Sequence, residues 1–233
     1  MSKTLATRIK FSIAKTYTAS SAMSALTNAA EAVATLAGGH GVVVGDYLEL
    51  TSGWGLLNGK IVRAKTVASN DVTLEGINTT STTKFPAGTG AGSVRRITAW
   101  DQLSQIKNVS ASGGDQQFAD ATSLDDDVEI KIPTIKSART MTLEVFDDPT
   151  LAWYATVAAA SDAVVPTAVL IQPPNGSKIV GNAYWGLMKE PNIQKNEVLT
   201  STITLTMNAE STRYASKSFR GGPGPSPPAR APA

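Results

Sequence analysis

Four groups of residues have the types that chemistry requires. His40, in the stretch AGGHGVVVGD, is the single histidine of the chain. A Ser-His-Asp triad would have to use it, because imidazole is the side chain that titrates near neutral pH. Its glycine-rich flanks read instead as a turn. Residues 88–93, GTGAGS, have the glycines of a phosphate loop. Such loops run from a strand into a helix, with a Lys following in the P-loop version. Here Arg95 and Arg96 lead into a strand, so a flexible hairpin loop is expected. Asp125, Asp126, Asp127 and Glu129 are close enough to act as the paired carboxylates of a glycosidase or to bind calcium. No Asp-x-Asp-x-Asp-Gly loop is present, and a solvated acidic face explains them better. Trp54, Trp100, Trp153 and Trp185 fall in separate elements, which suits core packing better than a sugar-stacking platform.

The absence of cysteine removes disulfides, thiolate chemistry and Cys-based metal sites. Too few nitrogen or sulfur ligands are left for zinc. Neither catalytic residues nor a cofactor are therefore expected.

Net charge is +2, yet the charge is polarised along the chain. Residues 115–148 hold nine of the 19 acidic residues against three basic ones, Lys131, Lys136 and Arg139. Between Asp115 and Glu129 there are six acids and no Lys or Arg.

The elements that must position these residues read mainly as β. TRIKFSI alternates, with Ile9, Phe11 and Ile13 on one face. Residues 45–76 read as short strands with turns at Asn58-Gly59 and Asn70-Asp71. VEIKIP is expected to turn Val128, Ile130 and Ile132 inward, and TMTLEVF to do so with Met141, Leu143 and Val145. Pro174 to Ser177 forms a hairpin turn. TSTITLTM sets Ile203, Leu205 and Met207 against three threonines. The Ala-rich residues 21–38 read as strand, Asn-Ala turn, strand. One helix is expected after Asp148, capped by that residue with Pro149 at its first position, and with Leu151, Tyr154, Ala155 and Ala158 on one face. Residues 219–233, rich in Pro and Gly, are expected to be a disordered tail. The N-terminus lacks the apolar run of a signal peptide, and no stretch approaches ~18 consecutive apolar residues. The expectation is a soluble intracellular protein.

Three stretches in order, PNGS, GNAYWGLM and NEVLTSTITLTM, resemble the tail tube domain of long, non-contractile-tailed bacteriophages, the family of the phage lambda major tail protein. Upstream, TAWDQLSQIKNVSASGGDQQFADATSLDDD looks like that family's strand followed by a long polar loop. The resemblance covers TRIKFSI and residues 99–214. It implies a β-sandwich with one flanking α-helix, built from residues 1–16 and 99–218. Residues 17–98 depart from the lambda pattern and resemble a small β-barrel inserted as a second domain.

By the same resemblance, subunits join into hexameric rings that stack into a tube in the virion tail, assembled in the host cytoplasm. Partners would be the protein itself, a tape measure protein, and tail terminator and baseplate proteins. DNA would pass through the lumen without specific binding. The loop over residues 109–127, with Ser110, Ser112, Gly113, Gly114, Gln116, Gln117 and Phe118, is the candidate for reaching the neighbouring ring. Asp115, Asp120, Asp125, Asp126, Asp127 and Glu129 are candidates for the lumen or the ring interface, where a negative wall repels phosphate. The bland alternative is that these acids keep the loop solvated. A carbohydrate- or host-binding decoration module is the alternative function, with an enzyme using the acidic cluster third.

Overall fold

A computed structural model describes residues 8–215. Among these, the chain forms β1 (Lys10–Tyr17), β2 (Ser21–Leu26), β3 (Val33–Leu36), β4 (Tyr47–Ser52), β5 (Ile61–Ala68), β6 (Asp71–Leu74), β7 (Gly92–Leu103), β8 (Ile106–Ser112), β9 (Gln116–Asp120), β10 (Lys131–Lys136), β11 (Thr140–Phe146), α1 (Ala152–Ala163), β12 (Thr167–Gln172), β13 (Lys178–Leu187), β14 (Thr200–Met207) and β15 (Thr212–Tyr214). The expected tail, residues 219–233, lies outside the described residues. No described helix is long and apolar enough to cross a membrane.

Six strands pair in a closed circuit. The order β2-β3-β6-β5-β4-β7 returns to β2 through Ser21 opposite Val94, and every pairing is antiparallel. Closure removes the exposed edges of these strands. Their inward residues, among them Met23, Leu48, Leu50, Val62 and Leu74, make one core with Trp54. The Ala-rich stretch is thus two strands, as its interspersed Thr and Val imply. The β5–β6 turn falls on Ser69 and Asn70, one residue earlier than expected, with Ala68 opposite Asp71. The β4–β5 connection is no two-residue turn at Asn58-Gly59. It runs over residues 53–60, because the chain dips to bury Trp54, and Gly59 recovers the strand direction at φ 74°.

β7 serves both halves of the molecule. Residues 92–96 pair with β4 in the circuit, and Ile97–Leu103 pairs with β1. From there a second antiparallel sheet runs β7-β1-β12-β13-β14-β11-β8. Its end strands are neighbours in the chain, separated only by Ser104 and Gln105, the latter at φ 61°. The sheet therefore curls until its ends approach, as a sandwich requires. Phe11, Ile13, Leu143, Val145, Trp185 and Leu205 fill the space between its halves. The strands read from TRIKFSI, TMTLEVF, KIVGNAYWGLM and TSTITLTM supply this core.

α1 lies over this core through Trp153 and Val157, four residues apart and both buried. The expected face is shifted, since Leu151 and Tyr154 are half-buried and Ala155 is exposed. The start is also later than expected. Asp148 accepts from the Thr150 backbone N–H at 3.1 Å and from its hydroxyl at 2.6 Å, so it caps a turn ahead of the helix. Leu151 takes the N-cap position without a side-chain bond.

A third cluster joins the two halves. Tyr47 and Ile61 of the closed circuit meet Ala168, Leu170, Val180 and Tyr214 of the open sheet. Polar groups lock this junction. Glu49 accepts from Arg95 at 2.5 Å and from Asn182 at 3.0 Å, while Tyr17 accepts the Ala168 N–H at 2.9 Å.

Candidate assembly interface

β8 ends the open sheet. Among the described residues it pairs with β11 on one side only, so its other side presents backbone groups without a strand partner there, a template for another chain. Ser110 and Ser112 lie on this edge and are exposed. The chain then bends at Gly113 and Gly114, with φ of 78° and 86°. A Cβ at Gly113 would stand 2.0 Å from the Ala138 carbonyl oxygen, so the bend requires glycine on both counts.

Beyond the bend, β9 and β10 form a hairpin that pairs with no other strand among the described residues. Its base is pinned by Ser137, whose Oγ accepts the Gly114 and Asp115 N–H groups at 3.0 Å each. Gln116 adds a bond from its amide to the Thr134 carbonyl at 3.0 Å. Residues expected to form one long loop are thus the end of β8, a glycine bend and β9.

The acids sit along this hairpin and all six are exposed. Asp115 lies at the base and Asp120 ends β9. Asp120 accepts from the Thr122 hydroxyl at 2.6 Å and from its N–H at 3.0 Å, which holds its carboxyl below the usual range. Asp125 is lowered by the Ser123 hydroxyl. Asp126 accepts the Ser123 N–H at 2.8 Å, and Glu129 pairs with Lys131 at 2.9 Å. Several of these acids therefore hold the tip's turns, whatever else they face.

The structure corrects the reading of VEIKIP. Val128, Ile130 and Ile132 do not point into a core. They are exposed, together with Phe118 (57 %) and Ile135 (77 %). Alternation fixes which side chains share a face but not what covers that face. Ile135, also on β10, is an exposed aliphatic that the alternating pattern did not single out.

The other chemical candidates have structural duties. The Val42 N–H donates to His40 Nδ1 at 3.0 Å, so the ring's other nitrogen, Nε2, carries the proton and donates to the Ser69 carbonyl at 3.0 Å. His40 thereby ties its loop to the β5–β6 turn. GTGAGS is anchored near its centre, for Gly90 lies against the Trp54 ring, and Trp54 Nε1 donates to the Pro86 carbonyl and the Thr89 hydroxyl. Trp153 and Trp185 are buried in the sandwich core, and Trp100 packs partly buried at the junction. Among the described residues, no three His, Cys, Asp or Glu side chains cluster in a way that would hold a metal.

Curled sheet, flanking helix, bare edge and projecting hairpin define a mainly β structural protein. The chain belongs to the phage tail tube protein family, which it matches over residues 52–216. The match begins at the end of β4, so family likeness runs through β5, β6 and β7 as well as the region after Ala99. No curated protein matches. Solved structures that are similar include two from the anti-feeding prophage. One is the tube-terminating cap of the anti-feeding prophage, at 21 % identity over 49 % of this chain and 83 % of that one, with a TM-score of 0.37. The other is the anti-feeding prophage baseplate, at 9 % identity over 52 % and 87 %, with a TM-score of 0.35. Both likenesses are too distant to carry a functional reading.

Proposed function

We propose that this chain is the repeating subunit of a phage tail tube, which joins copies of itself into hexameric rings that stack into a conduit for DNA. The observation that carries the reading is the β9–β10 hairpin, whose aliphatic side chains stand in water beside a bare sheet edge. Exposed apolar residues concentrated on one projection mark an association surface. Ring formation would use the β8 edge, and stacking would use the hairpin. The acids between Asp115 and Glu129 would then face the lumen or the ring interface, where the lack of Lys and Arg keeps DNA from being held by its phosphates. A tape measure protein, a tail terminator and baseplate proteins would be the further partners, with assembly in the host cytoplasm.

Residues 17–98 would form an inserted β-barrel on the outside of the tube. The closed pairing circuit and its separate core support this division. Negative-stain microscopy of concentrated protein tests the whole reading. Rings or tubes are expected. Monodisperse particles at every concentration would instead favour a virion decoration module that binds carbohydrate or host.

A further inference from the structure

The sandwich core is open at one end. Ile9, Phe11, Val109, Met141, Ile171 and Ile179 line a groove of about 520 Å³ between β1–β12 and β8–β11. Several of these are core side chains only partly covered by their own chain. The rim is basic. Arg8 borders both the groove and the shallow depression beside it, where Lys10 and Lys178 also lie, while Lys107 on the groove is already paired with Glu144 at 2.9 Å. Among the described residues, no Asp or Glu lines either one. The hairpin has largely complementary properties, with exposed aliphatics, six acids from Asp115 to Glu129, and two cations on β10, Lys136 and the Glu129-paired Lys131. Every described residue of β10 is exposed, so the hairpin does not fold back onto its own body.

We infer that this groove receives the β9–β10 hairpin of a second copy of the chain, with Ile130 and Ile132 entering the open end of the core and the tip acids facing Arg8, Lys10 and Lys178. The inference rests on the tube reading for its biological setting but specifies which surfaces meet. The contact is heterologous, since hairpin and groove are different patches of one subunit. Each copy therefore offers both halves, and the contact propagates without a natural stop, as a stack requires. Opposite charge sets the partner and the register, while the apolar face supplies the holding contact.

The absence of native cysteine gives a clean background for a test. Two full-length single-cysteine variants, Ile132→Cys and Val109→Cys, are mixed at assembling concentration under mild oxidation, with microscopy in parallel. A disulfide-linked heterodimer, at least roughly tenfold above either variant alone, is expected. Charge exchange gives a second readout. Arg8→Glu with Lys10→Glu should lower the assembled fraction roughly tenfold at low salt. Mixing that protein with an Asp125→Lys, Asp126→Lys variant should restore assembly. Rings or tubes without the cross-link and without charge rescue would overturn the docking while leaving the tube reading intact. Cross-linked pairs without rings or tubes would support the docking and sink the tube reading. No association of the unmodified protein would overturn both.

Discussion

Tyr214 and Arg63 hold each other twice. The Tyr214 hydroxyl accepts the Arg63 backbone N–H at 2.8 Å, and the Arg63 guanidinium lies over the Tyr214 ring at 4.4 Å. Arg63 is also gripped by Glu75, Nε to Oε2 at 2.5 Å and Nη2 to Oε1 at 2.6 Å. The last strand is thus fastened to the middle of the closed circuit, 151 residues away.

Replacing Tyr214 with Phe keeps the ring under the guanidinium and removes only the hydroxyl. A partly buried N–H then loses its acceptor, at a cost of about 1–2 kcal/mol. For a chain of this size, a melting temperature lower by roughly 2–8 °C is expected. Tyr214→Ala also loses the buried ring and should cost about 3–5 kcal/mol. Equal melting temperatures for wild type and Tyr214→Phe would show that the bond contributes nothing net.

Alkaline stability should report the same junction. Burial pushes the Tyr17 and Tyr214 hydroxyls up to about 12. In the unfolded chain they ionise near pH 10. Between pH 10 and 12 the unfolded state has released protons that the folded state keeps, so stability must fall as pH rises through this window. Each tyrosine accounts for about 1–3 kcal/mol of that loss. Denaturant melts at pH 9, 10 and 11 are the measurement, and Tyr17→Phe with Tyr214→Phe should flatten the decline. A slope unchanged by both substitutions would place the titration elsewhere.

Two glycines should respond oppositely to alanine. At Gly92, where β7 begins, a Cβ would lie 2.0 Å from the Thr51 carbonyl oxygen. The paired strands would have to separate, and Gly92→Ala should cost about 2–3 kcal/mol. Gly55 has nothing within 4 Å of a Cβ and no positive φ, so Gly55→Ala should stay within about 0.5 kcal/mol of wild type. Thermal melts of the two variants decide it, and comparable losses would mean that the close approach at Gly92 is not limiting.

Deleting residues 18–97 behind a short linker should leave the sandwich folded but weakened. Its main core contains no side chain from residues 18–97, so β-type circular dichroism and burial of Trp153 and Trp185 should persist. Leu170, Val180 and Tyr214 lose Tyr47 and Ile61 as neighbours, so the deleted chain should bind a hydrophobic dye and melt earlier. Loss of the circular dichroism signal would show that the circuit is needed for folding. An unchanged melting temperature would show that the junction is not stabilising.

Much of the fold was legible because local chemistry writes it. Alternation at Phe11 and Ile13, at Leu143 and Val145, and at Ile203 and Leu205 follows from the period-2 geometry of a strand, and the structure places all six in one core. The turn at Asn175-Gly176 and a helix after Asp148 were likewise local signals. Tertiary structure decided everything that depends on partners distant in sequence. The alternation at Ile130 and Ile132 matches that at Ile203 and Leu205, yet one pair is solvent-exposed and the other is fully buried. A strand's pattern names a face, and only the packing of other elements determines whether that face is covered. GTGAGS looked flexible by composition, but Trp54 packs against its buried Gly90 and anchors the stretch at that point. Asp120, Asp125 and Asp126 read as a uniform charge run, whereas backbone geometry gave each a turn to hold. The closing of β2 on β7 and the curling that brings β7 and β8 to opposite ends of one sheet have no local signature, because hydrogen bonds between strands are satisfied equally well by any edge within reach.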